Sequence, residues 1–213
     1  RGIAPAPPAH AGRTLPPIRR ELTHMNIRFS LLRPRKALPL LALLLGACTS
    51  APPVPQNDAG LDLGLPRQAH VVERAAGRPN LDRMLVAQQI GPASRWSLFD
   101  PLGVPLARQL LQNGAWHSDG LLPPNAPARA LFAELIFAWM PQGQLDSAYG
   151  PDTWRVRTLP DGRRVRLFLG SGGSDCAPLW TVAWPAPPAP QSAFTITQAD
   201  GTSWLVSPLK DQQ

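Results

Sequence analysis

The sequence has little of what most enzyme chemistry uses. Only 16% of its 213 residues are charged, and it holds two cysteines, one tyrosine and four histidines. No His/Cys set falls at metal-ligand spacing, and neither a Gly-x-Ser-x-Gly nucleophile turn nor a dinucleotide-binding glycine fingerprint is present. The glycine-rich run from Gly170 to Cys176 lacks the Gly-Lys-Ser/Thr of a phosphate loop and reads as a turn. His117-Ser118-Asp119 contains the residue types of a hydrolase triad, but neighbours on a strand point to opposite faces and form no relay among themselves. Catalysis, a metal and a cofactor therefore have no positive support in the sequence. The apolar run at 37–47 is 11 residues long, where a membrane-spanning helix needs about 20. Disorder is excluded by the 44% hydrophobic content.

What is abundant is proline and positive charge. The 27 prolines argue for loops, linkers and strand edges over long helices. The net charge of +7 and the isoelectric point near 10.9 suggest a nucleic-acid partner, but the charge is not spread evenly. Residues 1–47 hold 8 of the 21 Lys and Arg and 1 of the 14 acids, leaving 13 of each sign in residues 48–213. The folded part is neutral, and no nucleic-acid partner is expected of it.

The basic segment has the layout of an export signal. Met25 opens it, Arg28, Arg33, Arg35 and Lys36 form a positive region, and Ala37 to Ala47 forms the apolar stretch. It ends in Leu45-Gly46-Ala47-Cys48, which resembles the bacterial lipobox. That resemblance implies cleavage before Cys48, acylation of its sulfur and its new amino group, and a membrane anchor through the lipids. Two buried acyl chains already suffice for stable attachment, at about 0.8 kcal/mol per buried CH₂. In such lipoproteins an Asp after the Cys retains the protein in the inner membrane. Thr49 stands there instead, which implies the periplasmic face of the outer membrane. Residues 1–24 are expected to be translated upstream sequence, 25–47 the signal, 48–66 a Pro-rich tether and 67–213 the folded domain. An 18-residue tether in polyproline II geometry spans about 55 Å. A partly ordered first strand around Leu61 to Leu65 is the alternative.

Beyond it the pattern predicts short strands. Candidates are Gln68–Arg74, Arg83–Ile90, Arg95–Phe99, Val104–Leu111, Ala115–Leu121, Trp154–Leu159, Arg163–Leu169, Trp180–Trp184, Ala193–Gln198 and Ser203–Ser207. Asp100-Pro101-Leu102-Gly103 carries type I turn residues, and Pro160-Asp161-Gly162 and Ala199-Asp200-Gly201 are further turn signals. One helix is predicted over 127–140, capped by Asn125 and stopped by Pro141. Leu131, Phe132, Leu135, Ile136 and Trp139 follow helical spacing, and only Arg129 and Glu134 are charged. A helix apolar on nearly all sides must be buried on more than one. It is either a core helix on the concave face of a curved sheet or a lid over an apolar cavity, and the two are compatible.

The resemblance to a family rests on two stretches. One is Trp96 to Gly103 followed by Leu106, a strand, a Pro-Leu-Gly turn and a second strand. The other is Leu131 to Pro141, a helix ending Trp-Met-Pro. With the lipobox they resemble a family of bacterial lipoproteins of unknown function, often encoded beside aryl-polyene pigment genes and similar to the LolA/LolB lipoprotein-carrier superfamily. The resemblance covers about Arg83–Leu169. It implies a mainly β (α+β) fold, an incomplete antiparallel β-barrel of LolB-like form with a buried capping helix. It also implies a non-catalytic role, binding or transferring an acyl or aryl-polyene lipid, with a LolA-like periplasmic carrier as a partner. Trp96, Leu131, Leu135, Trp139 and Trp154 are the expected walls of the ligand cavity, although the large rings suit an ordinary core equally well. Arg155, Arg157, Arg164 and Arg166 are expected to share one face of the hairpin turning at 160–162, either solvated or meeting membrane or carrier phosphates. The alternatives are an envelope scaffold with a solid core and a periplasmic hydrolase using Cys176 or His117.

Overall fold

The computed structural model describes residues 52–209, apart from 57, 59, 172–176 and 186–191. Ten strands are present: β1 (Arg67–Arg74), β2 (Leu81–Ile90), β3 (Ala93–Phe99), β4 (Pro105–Gln112), β5 (Ala115–Ser118), β6 (Trp154–Thr158), β7 (Arg164–Phe168), β8 (Trp180–Trp184), β9 (Phe194–Gln198) and β10 (Ser203–Pro208). They form one antiparallel sheet in the order β5-β4-β3-β2-β1-β10-β9-β8-β7-β6. This is two five-stranded meanders joined where β1 pairs with β10, with Val71 opposite Val206. β5 and β6 are the free edges, so the sheet is open, not a closed barrel.

The turns follow the chemistry of their residues. At the β3–β4 turn, the Gly103 amide donates to the Asp100 carbonyl at 3.0 Å. Asp100 Oδ1 accepts from the amides of Leu102 and Val104, so one carboxylate organises the whole turn.

Between β5 and β6 the chain leaves the sheet for helix α1 (Ala126–Trp139), a 3₁₀ turn (Gln142–Gln144) and the short helix α2 (Leu145–Tyr149). α1 begins where Asn125 Oδ1 accepts from the Ala128 amide at 3.0 Å, with proline in the first turn. Every residue from Leu131 to Ala138 is buried, the charged Glu134 among them. The sheet must curve to achieve this. β3 and β7 lie six places apart in the strand order, which is about 29 Å on a flat sheet. Yet Trp96 of β3 meets Phe132 at 5.9 Å between ring centres, and Phe168 of β7 meets Phe137 at 5.1 Å. Only a sheet wrapped round α1 brings both to one helix about 10 Å wide.

Register fixes which side chains face the helix. Following the pairs strand by strand puts Val71, Leu85, Trp96, Leu111, Val206, Ile196, Val182 and Phe168 on the inner face. All six strand tryptophans (Trp96, Trp116, Trp154, Trp180, Trp184 and Trp204) share that face.

Candidate functional site

At three of the five expected walls the helix rests on a core without a cavity. Trp96, Leu131 and Leu135 each have 0% exposed surface. A side chain with no accessible surface borders no void as large as a water molecule. These three residues therefore do not line a ligand cavity, contrary to expectation: the rings of the inner face fill the space that a bound chain was expected to occupy. Trp139 stacks on Trp96 at 5.7 Å, with the Arg67 guanidinium 5.1 Å over its ring. Trp154 is half-buried and donates from Nε1 to Asp146 Oδ1 at 3.0 Å.

The arginine face is corrected as well. An even number of residues between paired positions would put Arg155 and Arg157 on one face with Arg164 and Arg166. Instead the Leu159 amide donates to the Arg163 carbonyl across a three-residue loop, with Gly162 at φ +80°. A type I turn followed by a left-handed glycine is a common three-residue hairpin loop. Val156 thus faces Arg166, and Arg155 faces Leu167. The arginines divide between the two faces, Arg155 and Arg157 outward and Arg164 and Arg166 toward the helix side.

Arg166 is 4% exposed and turns no charge to a membrane or partner. Its Nη1 donates to the carbonyls of Phe137 at 2.6 Å and Met140 at 2.9 Å, the last turn of α1. Its guanidinium also lies over the rings of Phe137 and Trp184. A buried cation at a helix C-terminus satisfies carbonyls that the helix leaves open and meets the negative end of its dipole. Burial, with the neighbouring Arg164, lowers its pKa to about 10, so it stays charged at neutral pH. Arg164 donates to Gln142 Oε1 of the 3₁₀ turn. Arg155 is half-buried and pairs with Asp152 at 3.5 Å, while Arg157 is exposed.

Glu134 is the other charge in the core. Gln198 Nε2 donates to its Oε1 at 2.5 Å, and its Oε2 has no partner. Burial pushes its carboxyl up to about 7, against the Gln198 hydrogen bond and with the help of Asp200.

Open space lies at the surface, against the segment that precedes β1. One pocket of about 420 Å³ is lined by Asp58 and residues 60–65 with Gln89, Gly91 and Pro92. A second, of about 300 Å³, lies between Pro53 and Val54 on one side and Tyr149, Thr153, Phe168 and Leu179 on the other. Its wall is mostly apolar, and 300 Å³ is about the lower bound for ligand pockets. The Tyr149 hydroxyl nearby is buried without a partner.

That preceding segment is not a free tether over its described length. Pro55 and Leu63 are buried, and Val54, Leu61 and Leu65 pack against the core. The Gln56 amide donates to the Ala148 carbonyl at 2.9 Å, and Asp58 Oδ1 accepts from the Gly114 amide at 3.0 Å. Gly114 is needed there: a Cβ would come within 3.2 Å of the Pro55 carbonyl oxygen, and its φ is +70°. The segment ties α2, beside edge strand β6, to the turn into the other edge strand, β5.

Cys48, Cys176 and the whole of 1–47 lie outside the described residues. His117 is exposed, and Asp119 is engaged by Arg95 at 2.6 Å. Among the described residues no three His, Cys, Asp or Glu are grouped to hold a metal, and no helix is long and apolar enough to cross a membrane. No protein-family model and no curated protein matches this chain.

Proposed function

We propose that the chain is a lipid-anchored, periplasm-facing outer-membrane protein of LolB-like fold. It binds an acyl or polyene chain without chemistry, in the pocket between Val54, Tyr149, Phe168 and Leu179. A LolA-like carrier remains its proposed exchange partner. The observation that carries this reading is the pocket itself: an apolar wall left open beside the anchored segment, with one unpaired hydroxyl to meet a polar end group. The test is saturable binding of a fluorescent fatty acid by the protein lacking residues 1–48, compared with a Leu179→Glu variant. Leu179 is 45% exposed, so the change leaves the core intact while placing a carboxylate in the pocket wall. Saturable binding by the unaltered domain and its loss in the variant is the expected result. No saturable binding by the folded, unaltered domain sinks the reading.

A second reading, a non-binding envelope scaffold, is favoured by the sealed core round α1. The same experiment separates the two.

A further inference from the structure

Arg166 is a buried cation without a counter-ion. Its guanidinium lies over the rings of Phe137 and Trp184, and its Nη1 meets only neutral carbonyls. Its Nε is buried with no partner. Among the described residues no carboxylate forms an ion pair with it. Arg164, the neighbouring inward-facing residue of β7, adds a second positive charge and bonds the neutral Gln142. The carboxylates of α2 and the loop after it, Asp146 and Asp152, are taken by Trp154 and Arg155. A charge withdrawn from water is costly unless an opposite charge is near, and in the interior that attraction is far stronger than in water. The helix carbonyls offset part of the cost and leave the net charge unmet.

A second unmet group stands on the same ring. Tyr149 packs edge-on against Phe137, at 5.6 Å between ring centres, and against Phe168, at 5.3 Å. The Arg166 guanidinium carbon lies 5.5 Å from the centre of the same Phe137 ring. Phe168 follows Arg166 by two residues on one face of β7, about 7 Å along the strand. Two phenylalanines, one from α1 and one from β7, thus bring Tyr149 and Arg166 within electrostatic reach of each other. The Tyr149 hydroxyl is buried and has no partner. Burial pushes its pKa up, against the pull of Arg166, so the group keeps its proton and is a donor without an acceptor.

Both groups belong to one corner of the fold, and it is the corner that holds the apolar pocket of about 300 Å³. Tyr149 and Phe168 line that pocket, and Arg166 is the next inward-facing residue of β7 beyond Phe168. Pro53 and Val54, on the other side, belong to the segment joined to α2 by the hydrogen bond from the Gln56 amide to Ala148. A head group reaches the Tyr149 hydroxyl by pushing this wall aside. The chain behind it then leads past Leu179, which is 45% exposed, to the surface.

We propose that this pocket selects an apolar chain ending in an anionic oxygen group, which accepts from the Tyr149 hydroxyl and is held by the positive charge of Arg166. The proposal rests on the reading of the pocket as an acyl-chain site and names the head group that the site takes. A carboxylate and a phosphate ester share this chemistry. A neutral ester, an alcohol or a bare hydrocarbon leaves Arg166 without an anion.

The experiment is native mass spectrometry of the full chain, released from maltoside micelles after incubation with dodecanoate, methyl dodecanoate or dodecyl phosphate. An anion is expected to form a saturable one-to-one adduct at a concentration at least about tenfold below that needed for the methyl ester. Tightest binding of dodecanoate supports the proposal with a fatty acid as the source of the head group, and tightest binding of dodecyl phosphate supports it with a phospholipid. Tyr149→Phe keeps the ring and removes only the hydroxyl. It should abolish most of the preference for the anion without lowering the thermal midpoint of the ligand-free protein, because the lost group has no partner. Arg166→Lys keeps the charge and should keep the preference, whereas Arg166→Met should lose it in the fraction that stays folded. Equal adducts from dodecanoate, dodecyl phosphate and the methyl ester, or an anion preference unchanged in Tyr149→Phe, overturn the proposal and leave the pocket reading standing. No adduct from any of the three ligands overturns both.

Discussion

The middle of the molecule and its rim are both apolar, and they solve the problem of apolar surface in different ways. Round the middle of α1 the curved sheet, with α2 beside it, covers the helix down to zero exposure at Leu131, Leu135 and Phe137. At the rim the same sheet ends, and leucines such as Leu102 and Leu121 are left with no neighbour to cover them. The polar groups divide in the opposite sense. The middle accepts two charged side chains, Glu134 and Arg166, and holds them by specific hydrogen bonds. Curvature, more than composition, decides which apolar residues are core and which remain available to something else.

The largest effects should come from the middle. Leu135→Ala is expected to cost about 2–5 kcal/mol, because a sealed site cannot collapse onto the missing atoms. Leu179→Ala at the rim should stay within about 0.5 kcal/mol. Denaturant unfolding of the two variants measures the difference directly. A cost for Leu135→Ala as small as that for Leu179→Ala would mean that the helix covers adaptable space after all.

Arg166→Met keeps length and apolar contact but removes the donors. Two buried carbonyls at the end of α1, those of Phe137 and Met140, then lose their partner, at about 1–3 kcal/mol each. Arg157→Met, on the outer face of the neighbouring strand, is the matched control and should be close to neutral. Similar midpoints for the two variants would contradict the division of the hairpin's arginines between its faces.

Glu134 sharpens the comparison through pH. Its carboxyl rises from 4.5 to about 7 on folding. A raised carboxyl binds its proton more tightly in the folded state, so its contribution is complete below pH 4.5 and is lost as pH rises to about 7. The loss is at most about 3 kcal/mol. Glu134→Gln should flatten this dependence, leaving stability near pH 4.5 almost unchanged and raising it at pH 8. Thermal unfolding at the two pH values is the check, and parallel profiles for the two proteins would refute it.

The smallest effect belongs to the outer arginines. Of the four hairpin arginines expected on one face, Arg166 is buried and Arg164 is held by Gln142, which leaves Arg155 and Arg157 for an anionic surface. Replacing both by Gln should weaken binding of the soluble domain to anionic vesicles by no more than about 1 kcal/mol per residue, less with added salt. Replacing Arg164 and Arg166 as well should add no further loss in any fraction that remains folded.

Much of this architecture could be read from the residues. Alternation in the strands, Asp100-Pro101-Leu102-Gly103 as a turn, and Asn125 as the start of α1 are local signals, and each describes a stretch whose geometry its own side chains dictate. The parity of the β6–β7 hairpin was legible too, in Pro160-Asp161-Gly162 followed by Arg163. Three residues with glycine last favour the odd-numbered loop, and that one-residue difference moves two arginines from solvent to core.

The rest belongs to the tertiary structure. Beyond the apolar Leu61, Leu63 and Leu65, little within the segment before β1 marks it as packed, because its partners, Ala148, Gly114 and Gln144, lie 56 to 92 residues further along the chain. The apolar circumference of α1 determined that the helix is buried. Whether it is buried against side chains or against a cavity depends on how closely the two meanders wrap, a property of the whole sheet that no single strand encodes. By itself the sequence determined a meander of eight to ten short strands, the one long helix and its cap. Only the closure of the sheet round that helix decided that Trp96 and Leu135 are sealed and that Arg166 holds the helix end, because long-range packing alone sets which apolar surfaces find one another.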